Sequence, residues 1–139
     1  MTVESCSLCL REGEHLLWQG ALCRVIMTPQ PGYPGFCRVI WQEHVREMTD
    51  LPAERRMHLL MVVWAVEEAL RQVLNPDKIN LASLGNQVPH LHWHIIPRFK
   101  DDAHYPDAVW AQPRRAGAEH SIDVKILVEA MQRLLGPGV

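Results

Sequence analysis

Apolar positions along the chain recur in two rhythms. Leu16-Leu17-Trp18 and Leu22-Cys23-Arg24-Val25-Ile26-Met27 predict two short strands joined at Gly20. The stretch from Thr28 to Gly35 carries three prolines and two glycines and reads as a loop. Phe36 to Trp41 reads as a third strand, after which Gln42-Glu43-His44 leads to a helix beginning near Pro52. There the rhythm changes. Leu59, Leu60, Val63, Val66, Leu70 and Val73 keep a 3.6-residue stripe, with Glu54, Arg55, Glu67, Glu68 and Arg71 on the other side, until Asn75-Pro76. Lys78 to Leu84 predicts a fourth strand, Gly85 to Pro89 a turn, and the residues from His90 a fifth strand. Phe99 to Gly117 is irregular, and a last helix starts after Ser121 as N-cap, with Asp123 in its first turn, and ends at Gly136. These elements predict an α+β fold with a mainly antiparallel five-stranded sheet, one long helix and a C-terminal helix. The expected organisation is one domain over 1–139, with its core at about 6–98 and a tail at 99–139.

Composition narrows the function. A chain of 139 residues can bury about two-thirds of its unfolded surface. A net charge of −2 and a pI near 6.4 leave no electrostatic footprint for a nucleic acid polymer. A small phosphate-bearing ligand remains open, because a few placed N–H groups and imidazoles can bind it. Met1 to Cys6 has neither a basic nor an apolar leader region, and no apolar run has membrane-spanning length, so a cytoplasmic protein without a membrane partner is expected. The four cysteines read as thiols or metal ligands rather than a disulfide framework. Of these, Cys23 and Cys37 fall within apolar strands and read as core. Met61 and Trp64 on the long helix are likewise expected to pack in the core, and His15, His58, His104 and His120 to be solvated. Trp110, after a Pro-containing turn, is expected to cover a sheet edge or to contact a partner's site.

The chemistry concentrates in His90-Leu91-His92-Trp93-His94. In a strand with a rise of roughly 3.3 Å per residue, alternate imidazoles leave one face about 6.6 Å apart. Two readings are compatible with that row. His90, His92 and His94 could together ligate a catalytic zinc, or the middle imidazole could be a nucleophile whose neighbours orient substrate and leaving group. Cys6-Ser7-Leu8-Cys9 alone is compatible with a zinc site, redox chemistry or a local turn; no thioredoxin-like βαβ pattern surrounds it.

The run from Gly85 to Arg98 resembles the signature of the histidine triad (HIT) family, His-φ-His-φ-His-φ-φ with φ apolar, preceded by a Gly-Gln-x-φ-x turn. Upstream, Tyr33 to Trp41 followed by His44 is similar to the family's Pro-Gly-His strand and its later histidine. The resemblance covers Cys6 to Arg98 and points to small bacterial members of the diadenosine tetraphosphate hydrolase-like kind.

It implies a HIT-like fold and a hydrolase or nucleotidyl transferase for a nucleotide conjugate or dinucleoside polyphosphate. His92 would attack the α-phosphate to give a nucleotidyl-histidine, and His94 would contact the phosphate and the leaving group. Gly85, Asn86 and Gln87 would supply backbone N–H groups, Asn80 a polar contact to the phosphate region, and Thr28 or Gln30 contacts to the ribose. Relatives that bear zinc imply Cys6, Cys9, His44 and His90 as structural zinc ligands. The resemblance also implies a homodimer in which Asp107 to Trp110 reaches the partner's nucleotide site. Two positions depart from the pattern: Asn86 stands for the turn glutamine, and Phe36 for the histidine after Pro-Gly. Those departures leave a nucleotide-binding module with little turnover as the alternative.

Overall fold

The computed structural model describes residues 2–139. Five strands, β1 (His15–Gln19), β2 (Cys23–Met27), β3 (Cys37–Trp41), β4 (Lys78–Ala82) and β5 (His92–Arg98), form one sheet in the order β1-β2-β3-β5-β4. Every neighbouring pair is antiparallel. Three helices accompany it: α1 (Ser7–Leu10), α2 (Ala53–Leu74) and α3 (Val124–Leu135). The expected α+β architecture is therefore the observed one.

Strand alternation sorts the sheet into two faces. Cys23, Val25, Cys37, Val39, Trp41 and Ile95 pack with Leu59, Val62, Val63, Val66, Ala69 and Leu70 of α2 and with Leu127, Ala130 and Met131 of α3. Burying a Val or Leu side chain of this kind contributes about 1.5–3 kcal/mol, so this layer is the main source of stability. Cys23 and Cys37 are core residues, as expected.

Met61 and Trp64 are not. The inward arc of α2 is centred on Leu59, Val63, Val66 and Leu70, and at 100° per residue Met57, Met61 and Trp64 fall on the opposite side, where they are 51, 57 and 48 % exposed. Leu60 and Val73 lie half-buried at the stripe's margins.

The other face carries Arg24, Ile26, Arg38, Ile40, His92, His94, Ile96 and Arg98. Short α1 lies on it, with Leu8 and Cys6 packed against Ile26 and Ile40. One turn of helix is too short to leave a periodic trace in the sequence. The tail at 99–117 is irregular but tied down. Asp102 accepts from Nε and Nη2 of Arg98 at 2.8 and 3.0 Å, and from the backbone N–H groups of Phe99, His104 and Tyr105 at 3.2, 3.0 and 2.8 Å. At α3, Asp123 rather than Ser121 is the N-cap: its carboxylate accepts from the N–H groups of Lys125 and Ile126.

Candidate active site and metal cluster

His90 precedes β5, and its ring turns toward the N-terminal segment. Its Nδ1 lies 3.5 Å from Cys6 Sγ, 3.4 Å from Cys9 Sγ and 3.2 Å from His44 Nδ1; Cys9 Sγ is 3.3 Å from His44 Nδ1. The four donor atoms all lie within 4.8 Å of one another. A tetrahedral ion with N arms of about 2.05 Å and S arms of about 2.3 Å requires donor separations of roughly 3.3–3.8 Å, so the group fits such an ion. Tautomer chemistry agrees. Nε2 of His90 donates to the Trp41 carbonyl at 2.6 Å, which leaves the Nδ1 lone pair aimed into the cluster. The Cys-x-x-Cys spacing needs the turn that α1 provides, which places both sulfurs on one side.

With Nε2 on the Trp41 carbonyl and Nδ1 among Cys6, Cys9 and His44, His90 faces away from the cavity that His92 and His94 share. The structure does not bring the three rings together as one ligand set: adjacency in sequence suggested three ligands, but the backbone before β5 turns the first ring toward Cys6, Cys9 and His44.

His92 and His94 open instead onto a cavity of about 310 Å³, lined also by Leu8, Arg38, Leu84, Gly85, Asn86, Gln87, Val88 and Trp110. His92 Nδ1 donates to the His90 carbonyl at 2.5 Å, so Nε2 is the ring's nitrogen with a lone pair. Burial, then the nearby Arg38 cation, holds His92 below the ordinary imidazole value, against the effect of that carbonyl. His94 meets His92, Trp110 and Phe36 edge-on, with ring centroids at 5.0, 5.2 and 5.8 Å. Burial, then His92 and Arg38, pushes its pKa down to about 4. Both rings are neutral at pH 7. Gly85 has φ +79°, a left-handed conformation that favours glycine at the head of the turn.

Other expected residues lie elsewhere. Asn80 is on β4, two residues along from the site, and its Oδ1 accepts from Arg98 Nη1 at 2.8 Å. Thr28 belongs to the loop after β2, beside Pro29, Gln30 and Tyr33, and does not line the triad cavity. Trp110 lies against His94 of its own chain, so no partner is needed to bring it there. His15 and His58 are exposed as expected, but His104 and His120 are half-buried. The Tyr33 hydroxyl lies 2.5 Å from His104 Nδ1, and His120 stacks on Phe99 at 3.8 Å.

Arg38 was not among the expected site residues. It stands on β3 directly across from His94 and lines the cavity. Its Nε is buried without a hydrogen-bond partner, and burial lowers its pKa.

This arrangement is a five-stranded antiparallel sheet whose fifth strand delivers paired imidazoles to a cavity behind a glycine turn. The HIT domain profile matches residues 12–101, and the chain belongs to the HIT family. A bis(5'-nucleosyl)-tetraphosphatase (asymmetrical) of Schizosaccharomyces pombe is 29 % identical over 105 residues, which span 72 % of this chain and 58 % of that relative's length. Among solved structures, a histidine triad protein from Bradyrhizobium japonicum is 29 % identical with a TM-score of 0.73, covering 91 % of this chain and 93 % of that one. Another from Marinobacter aquaeolei VT8 is 27 % identical with a TM-score of 0.74, covering 90 % and 93 %.

Proposed function

We propose that the protein is a nucleotide hydrolase that cleaves at the α-phosphate of a nucleotide conjugate or dinucleoside polyphosphate through a covalent intermediate on His92. The observation that carries this reading is the Nδ1–H of His92 on the His90 carbonyl, which leaves a neutral Nε2 as nucleophile in the cavity. Nε2 attacks the α-phosphorus, the bond to the leaving group breaks, and water then displaces His92 to release a nucleoside monophosphate. His94 and the backbone N–H groups of Gly85, Asn86 and Gln87 are the contacts for phosphate oxygens. The name of the fission yeast relative supports this substrate class.

Cys6, Cys9, His44 and His90 would hold zinc. The ion would clamp α1 to the segment leading into β5, a structural service rather than a chemical one. Met57, Met61 and Trp64 form an exposed apolar stripe on α2, and β4 is an edge strand with one side unpaired. Both features suit a two-fold homodimer.

Phe36 in the place of a histidine, with His94 Nδ1 left without a partner, favours the second reading of a binding module with little turnover. One experiment separates the two. Incubation with diadenosine tetraphosphate should release monophosphate, and acid-free quenching should trap one nucleotide on His92. His92→Ala should lower turnover by about a thousandfold or more while still binding nucleotide. Stoichiometric binding without product would establish the module instead, and normal turnover by His92→Ala would remove the covalent mechanism.

A further inference from the structure

We propose that Arg38 makes this site selective for substrates whose leaving group is itself a phosphate anion, so that it is built for phosphoanhydride cleavage rather than for phosphoramidate cleavage. The inference rests on the hydrolase reading above and adds to it the class of bond.

Three guanidinium groups stand on this face of the sheet. Arg24 is answered by Glu14 and by the Leu8 carbonyl, and Arg98 by Asp102 and Asn80. Arg38 pairs with no carboxylate among the described residues, and no carboxylate lines the cavity it enters. A cation drawn partly out of water without a counter-charge is costly unless something else supplies the anion. In this cavity a ligand can. The phosphate attacked by His92 has His94 and the glycine turn for contacts, so the charge of Arg38 is free for a further phosphate.

The surroundings of His94 point the same way. Phe36 and Trp110 stand steeply inclined to its ring, its Nδ1 has no partner, and no carboxylate lines the cavity, so no anion or hydrogen-bond acceptor beside it favours a protonated imidazole. Cleavage of an anhydride needs no proton there. The P–Nε2 bond forms, the P–O bond breaks, and the electron pair departs on the bridging oxygen of a phosphate anion; water later breaks the P–N bond and releases one proton to solvent. Cleavage of a phosphoramidate must instead deliver a proton to the departing nitrogen.

The test measures kcat/KM for diadenosine tetraphosphate and for adenosine 5'-phosphoramidate, with equilibrium binding of adenosine 5'-tetraphosphate and AMP alongside. Wild type should prefer the anhydride. Arg38→Met should lower the anhydride-to-phosphoramidate ratio about tenfold to a hundredfold, the scale of a lost charge-assisted hydrogen bond, and Arg38→Lys should restore part of it. An unchanged ratio, or an equal fall for both substrates, overturns the inference. If wild type turns over neither substrate, the hydrolase reading fails and binding decides the role of Arg38. Loss of tetraphosphate affinity at least tenfold greater than loss of AMP affinity then upholds anion selection. Equal loss, or a wild type that does not bind the tetraphosphate, overturns it. Should Arg38→Met fail to fold, Arg38→Gln carries the same comparison.

Discussion

Arg98 and Arg38 are two guanidinium groups on one face of one sheet, and they differ in what answers them. Arg98 is 2 % exposed and fully engaged: two bonds to Asp102, one to Asn80, and the faces of Tyr33 and Tyr105 at 5.8 and 5.7 Å. Its charge is cancelled inside the chain, and the product is mechanical, because the cluster pins the segment that carries Trp110 to His94. Arg38, one strand away, has an orphan Nε and opens onto the cavity. The same contrast separates His90, whose Nε2 meets the Trp41 carbonyl and whose Nδ1 meets Cys6, Cys9 and His44, from the two rings in the cavity. Among the described residues, His92 keeps one nitrogen without a protein partner, and His94 has a protein hydrogen bond at neither. Satisfied polar groups on this face build the scaffold. Unsatisfied ones mark where a ligand belongs.

That contrast is broken most severely at the metal cluster, where satisfaction would come from an ion rather than from the chain. Metal binding by folded ligands adds directly to folding free energy, on the order of 10 kcal/mol for structural zinc in small domains. Chelator treatment and Cys6→Ser should both release one metal per chain and produce the largest fall in Tm of any change considered. Unaltered metal content in Cys6→Ser, measured by elemental analysis, would refute the ligand set of Cys6, Cys9, His44 and His90.

Next in size is the loss of Asp102. Burial opposes its ionisation, but Arg98 and three backbone N–H groups together hold the carboxyl well below the usual range. Asp102→Ala leaves Arg98 buried and unpaired, which costs about 3–5 kcal/mol. Calorimetry should show a Tm lower by about 10 °C or more. Limited proteolysis should also cut within residues 99–117 sooner than in wild type. A variant with unchanged Tm and unchanged cleavage would remove the pinning role.

Much of this could be read from the sequence wherever a period existed. The alternating histidines and the stripe of α2 follow from spacing, whereas Cys6-x-x-Cys9 alone leaves zinc, redox chemistry and a turn open, and only the resemblance joins it with His44 and His90 as a metal set. The tail could not be read this way. Residues 99–117 have no period, and the contacts that order them are irregular in sequence: the Arg98–Asp102 pair at the end of β5, Arg115 on the Asp102 and Tyr105 carbonyls, and Val109 packed with Tyr33, Phe36 and Ile96. Asn80 and Thr28 were assigned by their positions in a family pattern, which fixes the strand but not the side chain's neighbours, and in this chain Arg98 engages Asn80. Arg38 does leave a signal in the sequence: it is the one charged residue in the apolar run Phe36 to Trp41 and lies between Cys37 and Val39. A charge within a buried strand asks for a counter-charge or a ligand, but which groups face Arg38 is decided by the fold and could not be read from the sequence.

The neutral rings make acid a graded probe. The folded value of His94, about 4, lies below the ordinary 6.5, so on acidification the unfolded chain takes up the proton first. The stability due to the neutral ring is complete above pH 6.5 and is lost as pH falls toward 4, up to about 3 kcal/mol across that window. His90 and His92 shift in the same direction, so the difference between wild type and His94→Leu isolates this share. Denaturant midpoints taken from pH 7 to pH 4 should fall less steeply in His94→Leu. Parallel slopes would mean that His94 is solvated.

The smallest expected effect is the most informative about the two arginines. Because Asp102 answers Arg98, removing either charge exposes the other; because no carboxylate among the described residues answers Arg38, removing it exposes none. Arg38→Met keeps the length of the aliphatic stem, retains its packing between Ile26 and His94, and eliminates an ion that burial already disfavours. Replacing a poorly compensated charge by an apolar side chain is neutral or stabilising. The Tm of Arg38→Met without ligand should therefore stay level or rise, by no more than about 1 kcal/mol of stability, while the increase in Tm on adding adenosine 5'-tetraphosphate should shrink. A fall in unliganded Tm comparable to that of Asp102→Ala would show that Arg38 is held by the fold in the way Arg98 is, and the distinction between scaffold and site on this face would disappear.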